Sequence, residues 1–245
     1  VVAFSPFSGN LEKEATMQQI TVLSLGGSII VPDGVDHPFL TRFAEAMSDH
    51  LETHRDHKVI IVTGGGAPAR TYQQAYKAIC TDADADLLDW IGIAATHLNG
   101  TLVRAIFSRY CSDALVTDPT APIDFNGQVL VAAGWKPGFS SDTDAVYLAK
   151  RFSADRVVNL SNIAKVHTAD PKTDPTARPL DSISWHDFRA MVGDTWIPGK
   201  NVPFDPIASR EAEEAHLQVI CADGRNIENT FAILRNEPFE GTTIG

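Results

Sequence analysis

The chain has 245 residues, enough for one large domain or two closely associated lobes around a sizeable core. With 44% hydrophobic and 21% charged residues it matches an ordinary globular protein, which excludes disorder, collagen and coiled coil. Twenty Lys and Arg against 31 Asp and Glu leave a net charge of −11. That balance speaks against non-specific wrapping of nucleic acid or of an anionic membrane, yet leaves room for a local basic cluster that holds a small phosphate ligand.

In chain order, residues 1–16 lack the basic start and apolar core of a signal peptide and read as a flexible extension or expression remnant, with one folded domain over 17–245. Ile20 to Leu25 is a β-branched run closed by Gly26-Gly27-Ser28, and an amphipathic stretch from Phe39 to Leu51 follows. Lys58 to Thr63 predicts a strand covered on both faces, closed by Gly64-Gly65-Gly66 and followed by a helix from Ala69 to Ile79. An acidic loop, Thr81 to Asp86, leads into a long helix from about Leu87 to Tyr110, in which Ile91, Ala94, Ala95, Leu98, Leu102 and Ile106 predict a buried stripe. Leu115-Val116 and Val129 to Ala133 predict strands, Asp142 to Phe152 a helix, and Arg156 to Leu160 a strand. The long, proline-bearing segment Ser161 to Pro179 is expected to be functional or mobile. Helices over Trp185 to Met191, Pro206 to Ala215 and Asn226 to Leu234, with strands at Gln218 to Cys221 and Gly241 to Ile244, complete the pattern.

Strands alternating with helices imply an α/β fold, an open, mostly parallel sheet sandwiched between helices, whose ligands bind at the carboxyl ends of the strands. A loose division near 122–127 separates an amino-terminal half, about 17–125, from a carboxyl-terminal half, about 126–245. No apolar run approaches the roughly 18 residues needed to span a bilayer. Cys80, Cys111 and Cys221 are scattered and odd in number, which predicts reduced thiols and a cytoplasmic address.

Two glycine turns after consecutive strands let backbone N–H groups approach phosphate oxygens, and Arg70 stands one helical turn beyond the second, within reach of the same anion. No GxGxxG follows a strand. Gly193 to Asn201 has the wrong spacing for a Walker loop and ends on Asn where Ser or Thr is needed. The stretch Lys136 to Asp144 suits a phosphate-handling loop, with Asp142 placed to orient a metal ion or basic group, while Ser141 and Asp144 have capping-box spacing. His50, His54 and His57 read as a solvated helix end, and Asp82, Asp84 and Asp86 as a solvated loop, so no protein-held metal site is predicted. Asn99 and Asn159 match the glycosylation pattern, in the wrong compartment for its use. No hydrolase triad assembles from the spacing.

In order, LSLGGS (Leu23 to Ser28), VTGGGAPAR (Val62 to Arg70), DWIGIAATHLNG (Asp89 to Gly100), GWKPGFSSD (Gly134 to Asp142), NIAKVHTADPK (Asn162 to Lys172), FDPIASR (Phe204 to Arg210) and the terminal GTTI resemble the amino acid kinase superfamily, and within it the archaeal-type uridylate kinases. The resemblance covers about residues 20 to 245. It implies transfer of the ATP γ-phosphoryl group to UMP with Mg²⁺, in pyrimidine nucleotide synthesis. It further implies that Gly65, Asp89 and the loop Trp135, Lys136, Pro137, Gly138, Phe139, Ser140 and Ser141 hold UMP. Gly27, Ser28, Gly66 and Arg70 would surround the transferring phosphates, Ser161, Asn162, His167 and Asp170 would line the adenosine site, and Asp142, Arg70 and Arg210 would be catalytic. Relatives commonly assemble as hexamers or dimers through the long helices of the amino-terminal half, so a homo-oligomer is expected.

The chain departs from the family pattern in three places. Ser24 stands where many relatives carry Lys. Ala164, Lys165 and His167 replace an acid, a glycine and an aromatic, and Arg210 replaces a Lys, which leaves Lys136, Lys165 and Arg210 as candidate cations. Two other readings follow: a kinase of the same fold with a carboxylate or carbamate acceptor, which the negative charge of Asp89 disfavours, and a non-catalytic protein that stores or senses a nucleotide.

Overall fold

The computed structural model describes residues 18–193, 195 and 202–245, so the expectation for 1–16 and most of the Gly193 to Asn201 stretch lie outside the described residues. The first half builds β1 (Ile20–Leu25), α1 (Gly27–Ile30), α2 (His37–Thr53), β2 (Lys58–Thr63), α3 (Gly66–Ile79), α4 (Ala85–Ile106) and β3 (Val129–Ala132). The second builds α5 (Ser141–Phe152), β4 (Arg156–Ser161), β5 (Ser182–Ile183), α6 (Trp185–Val192), α7 (Pro206–Glu214), β6 (Gln218–Asp223), α8 (Ile227–Leu234) and β7 (Thr242–Ile244). Leu115-Val116 contributes only a single bridge, Val116 to Ala132.

The seven strands form one sheet in the order β3-β2-β1-β4-β6-β7-β5. All neighbours are parallel except β6 and β7. Side chains alternate across the pleat, so Leu23, Leu25, Val59 and Ile61 meet α2 and α8 on one face, while Val22, Ile60 and Val62 meet α5, α6 and α7 on the other. The chain runs outward from β1 through β2 to β3 and then returns to place β4 on the other side of β1. That reversal opens a crevice at the carboxyl tips of β1, β2 and β4.

Two expectations about burial are corrected. The α4 stripe predicted to be buried is only partly so: Leu98 is 66% exposed, Ile106 37% and Ala94 exposed as well, while Ile91 and Ala95 are half-buried and Leu102 packs on the core. The buried face is instead Ile93, Thr96, Asn99, Gly100 and Val103, because α4 must pass close to backbone at the strand tips. A Cβ on Gly100 would stand 2.9 Å from Leu115 Cδ1, 3.1 Å from Thr63 Oγ1 and 3.3 Å from Ala133 Cβ, so any side chain there would crowd its neighbours. The helix also ends at Ile106, short of Tyr110.

The histidines are not a solvated helix end either. His50 and His57 are buried, with His50 Nε2 2.8 Å from His57 Nδ1 and His57 Nε2 3.0 Å from Thr21 Oγ1. This chain of polar contacts ties the end of α2 to the start of β1, at the end of the sheet opposite the crevice. Burial, together with the repulsion that a charged His50 would meet from His57, His54 and Arg235 and a charged His57 from Arg156 and His54, pushes both imidazoles down to about 4. Both therefore stay neutral at ordinary pH.

Candidate active site

The two glycine turns lie back to back. Leu25 accepts from the Gly64 amide at 3.0 Å, and the Gly26 amide donates to Leu160 O at 2.9 Å, which draws the tips of β1, β2 and β4 together. A Cβ on Gly27 would lie 2.0 Å from the Gly66 nitrogen, and Gly66 itself has φ +67°. Only glycine permits both the contact and the left-handed backbone. Ser28 is half-buried in the short α1 that follows. Arg70, exposed on α3, donates to Pro32 O at 3.1 Å and so stands over the loop that follows α1.

Beside these turns sits a cluster of carboxylates. Ser24 Oγ donates to Asp142 Oδ1 at 2.9 Å, and the Asp205 amide donates to Oδ2 at 3.3 Å. Burial raises the Asp142 carboxyl to about 6, helped by the charge of Asp205 and opposed by the Ser24 hydroxyl and the Asp205 amide. Asp205 caps α7 through the amides of Ile207 and Ala208 and also accepts from Thr143 Oγ1. Asp144, buried, accepts from the Trp135 amide at 3.2 Å, and burial pushes it up to about 7. Sequence reasoning missed the buried roles of Asp144 and Asp205. It also misplaced the cap of α5, which is Ser140, bonded to the Thr143 amide, rather than Ser141. Asp144 instead turns Oδ2 to the loop through the Trp135 amide.

The loop itself, from Gly134 to Ser140, is aromatic on one side and hydrogen-bonded on the other. Trp135 packs on Phe139 with ring centroids 4.8 Å apart, and the Lys136 ammonium lies 3.8 Å from the Trp135 centroid. Pro137 is half-buried and Gly138, at φ +82°, donates its amide to Asp89 Oδ2 at 2.9 Å. Asp89 is thus part of the loop's support, with one carboxylate oxygen engaged.

Ser161 and Asn162 sit at the tip of β4, adjacent to the β1 turn, where Ser161 Oγ accepts from the Ile163 amide and Ser161 O from the Gly224 amide. His167 bridges to Pro179 and Asp170 closes an exposed turn farther along the same segment. Of the three candidate cations, Lys165 is paired with Asp181 at 2.5 Å and Lys136 lies on the aromatic rings. Arg210 is exposed on α7 beside Tyr147 and, among the described residues, makes no hydrogen bond to Asp142 or the glycine turns.

A family model described as "Amino acid kinase family" matches residues 19–223. The chain belongs to this family. It is 32% identical over 234 residues to a uridylate kinase of Methanothrix thermoacetophila, covering 92% of this chain and 99% of that protein. A uridylate kinase of Methanospirillum hungatei is 29% identical, over 91% and 93% of the two chains. Among solved structures, the uridylate kinase of Archaeoglobus fulgidus superimposes with a TM-score of 0.77 at 28% identity, covering 92% of this chain and 99% of that one. The UMP kinase of Bacillus anthracis shares the fold, with a TM-score of 0.73 at 18% identity. As a member of the amino acid kinase family, the chain has its glycine turns and its β3–α5 loop where strand tips meet, which is where the sequence motifs lead.

Proposed function

We propose that this chain is a UMP kinase, transferring the γ-phosphoryl group of ATP to UMP. The observation that carries the reading is the backbone-to-backbone contact of the two glycine turns beside Asp142, in a chain nearly coextensive with uridylate kinases. Phosphoryl transfer needs positioning and positive charge more than a covalent nucleophile. The turns supply amides, and Arg70, tethered to Pro32 O in the loop after α1, would supply a guanidinium. UMP would lie on the β3–α5 loop with Asp89 and Gly65, and adenosine beside Ser161 and Asn162 with His167 and Asp170 along the rim. Gly27, Ser28 and Gly66 would meet the transferring phosphates. Asp142 would orient the reacting groups, and Arg210 would have to swing from α7 to take part.

The donor set suits magnesium carried by ATP. Asp144 is buried, whereas Asp142 is half-buried beside the glycine turns with Asp205 next to it, so Asp142 would hold the ion through oxygen, in company with the phosphates, by giving up its bond to Ser24 or to the Asp205 amide. Magnesium supplies charge neutralisation on the phosphate oxygens. Assembly into dimers or hexamers is supported by the outward apolar face, where Tyr72 and Ile79 of α3 and Trp90 and Leu98 of α4 are 70%, 81%, 48% and 66% exposed. Among the described residues no helix is long and apolar enough to cross a membrane, in keeping with a cytoplasmic enzyme. A coupled assay offering UMP, CMP, acetylglutamate, aspartate and carbamate tests the proposal. UMP should turn over fastest, and turnover of another acceptor with none for UMP refutes it.

A further inference from the structure

Helix α4 grips the β3–α5 loop at both ends. The Gly134 amide donates to Thr96 Oγ1 at 2.8 Å, and the Thr96 hydroxyl spends its own proton on Ile93 O at 2.7 Å, so its oxygen serves Gly134 only as acceptor. On the other side of the same residue, Gly134 O lies 2.7 Å from His97 Nε2, and since a carbonyl has no proton to give, Nε2 carries it. Four residues on, the Gly138 amide meets Asp89. Asp89 and the Thr96-His97 pair are two helical turns apart, roughly 11 Å along α4, so a rigid helix fixes the separation of the loop's two ends. A Cβ on Gly134 would stand 2.9 Å from Thr96 Oγ1, which explains glycine there. One turn further, Asn99 Nδ2 donates to Gly64 O at 2.7 Å and to Gly65 O at 3.2 Å. A single helix thereby holds the β3–α5 loop and the β2–α3 turn in one frame.

We infer that Thr96 and His97 are positioning residues that set the acceptor loop against the glycine turn, through the two hydrogen bonds they make to Gly134. The kinetic consequence rests on the UMP-kinase reading; the structural one does not.

The test combines initial rates, with UMP and ATP varied separately, and deuterium exchange of the peptide spanning Val131 to Phe139 in the unliganded protein. Thr96→Val deletes the hydroxyl at similar volume, Thr96→Ser keeps it, His97→Ala deletes the donor and His97→Gln restores one. Thr96→Val and His97→Ala should each raise the KM for UMP by roughly ten-fold, leave the KM for ATP within about two-fold, and speed exchange in the loop. Thr96→Ser and His97→Gln should return all three towards wild type. If Thr96→Val fails to fold, the half-buried His97 pair carries the comparison. Unchanged exchange in the deletion variants overturns the inference, as does a faster-exchanging loop with both KM values unmoved or raised equally. Should the wild-type enzyme prefer another acceptor, the UMP reading falls, while loop exchange and the KM of that acceptor still decide the role of Thr96 and His97.

Discussion

A methyl group on Gly27 probes the contact on which the site is built. In a Gly27→Ala protein the new Cβ would lie 2.0 Å from Gly66 N, 2.6 Å from Gly64 C and 2.7 Å from Gly65 C, where ordinary contact begins at 3.4 Å. All three are backbone atoms, so no rotamer relieves the clash and the turns must part by more than an ångström. Both are held where they are: Gly64 by Leu25 O and Asn99, Gly26 by Leu160 O, and Ala67 by Val31 O. Overpacking of this kind costs about 1–3 kcal/mol of stability. Misplacing reacting groups by about 1 Å typically costs about 100-fold in rate. The kcat at saturating UMP and ATP should therefore fall about 100-fold while the protein remains folded at 25 °C by circular dichroism. Gly34→Ala, with nothing within 4 Å of its Cβ, is the matched control and should leave both properties unchanged. A Gly27→Ala enzyme that keeps kcat within about three-fold of the parent would refute the idea that apposed turns position the phosphates.

Asp142→Asn should lower kcat by about 10² to 10³ with little change in the melting temperature, measured by stopped assay and calorimetry; unchanged turnover removes Asp142 from the mechanism. Arg70→Ala should raise the KM for both substrates and lower kcat if the guanidinium, held to Pro32 O in the loop after α1, reaches the phosphates as proposed. The buried His50–His57 pair sets an acid limit. Above 6.5 neither the folded nor the unfolded chain protonates it, but between 6.5 and about 4 the unfolded chain takes up protons that the folded chain refuses, so stability falls across that window, by about 3 kcal/mol for one site, and levels off below. His50→Leu should make the fall in melting temperature from pH 7 to pH 4.5 shallower, and an identical slope would contradict it. If the exposed α3–α4 face joins subunits as proposed, Leu98→Asp should shift the sedimentation of the protein towards monomer, and an unchanged profile would refute association through that face.

Order and type of the main elements were legible because both codes for them are local. Short β-branched runs bounded by turn residues, such as Lys58 to Thr63, read as buried strands, and the glycine turns that follow them mark the end of the sheet where ligands bind in folds of this kind. What stayed hidden depended on partners far away in the chain. Asp144 looks like a first-turn capping acid until the Trp135 amide, nine residues earlier, is brought beneath it. Asp205 reads as a cap for α7, which it is, yet its amide and side chain also reach Asp142 and Thr143 across more than sixty residues. The histidine triplet looks solvated because charged neighbours surround it in sequence, whereas Thr21 and Phe231 close over it in space.

The inversion of α4 joins these observations. Periodicity alone assigns the more hydrophobic face of a helix to the core, and here that assignment selects Leu98 and Ile106. The inward face instead carries Thr96, Asn99 and Gly100, since what it approaches is the backbone of two glycine-bearing loops whose N–H and C=O groups need partners. Aliphatic side chains on that face would leave the Gly134 amide and the Gly64 carbonyl unpaired, at about 1–3 kcal/mol each, more than burying one leucine outside the site would recover. The apolar residues displaced to the outer face, Leu98 and Ile106, are left exposed, so the polarity that pairs the two glycine-bearing loops is matched by an apolar surface on the other side of the helix.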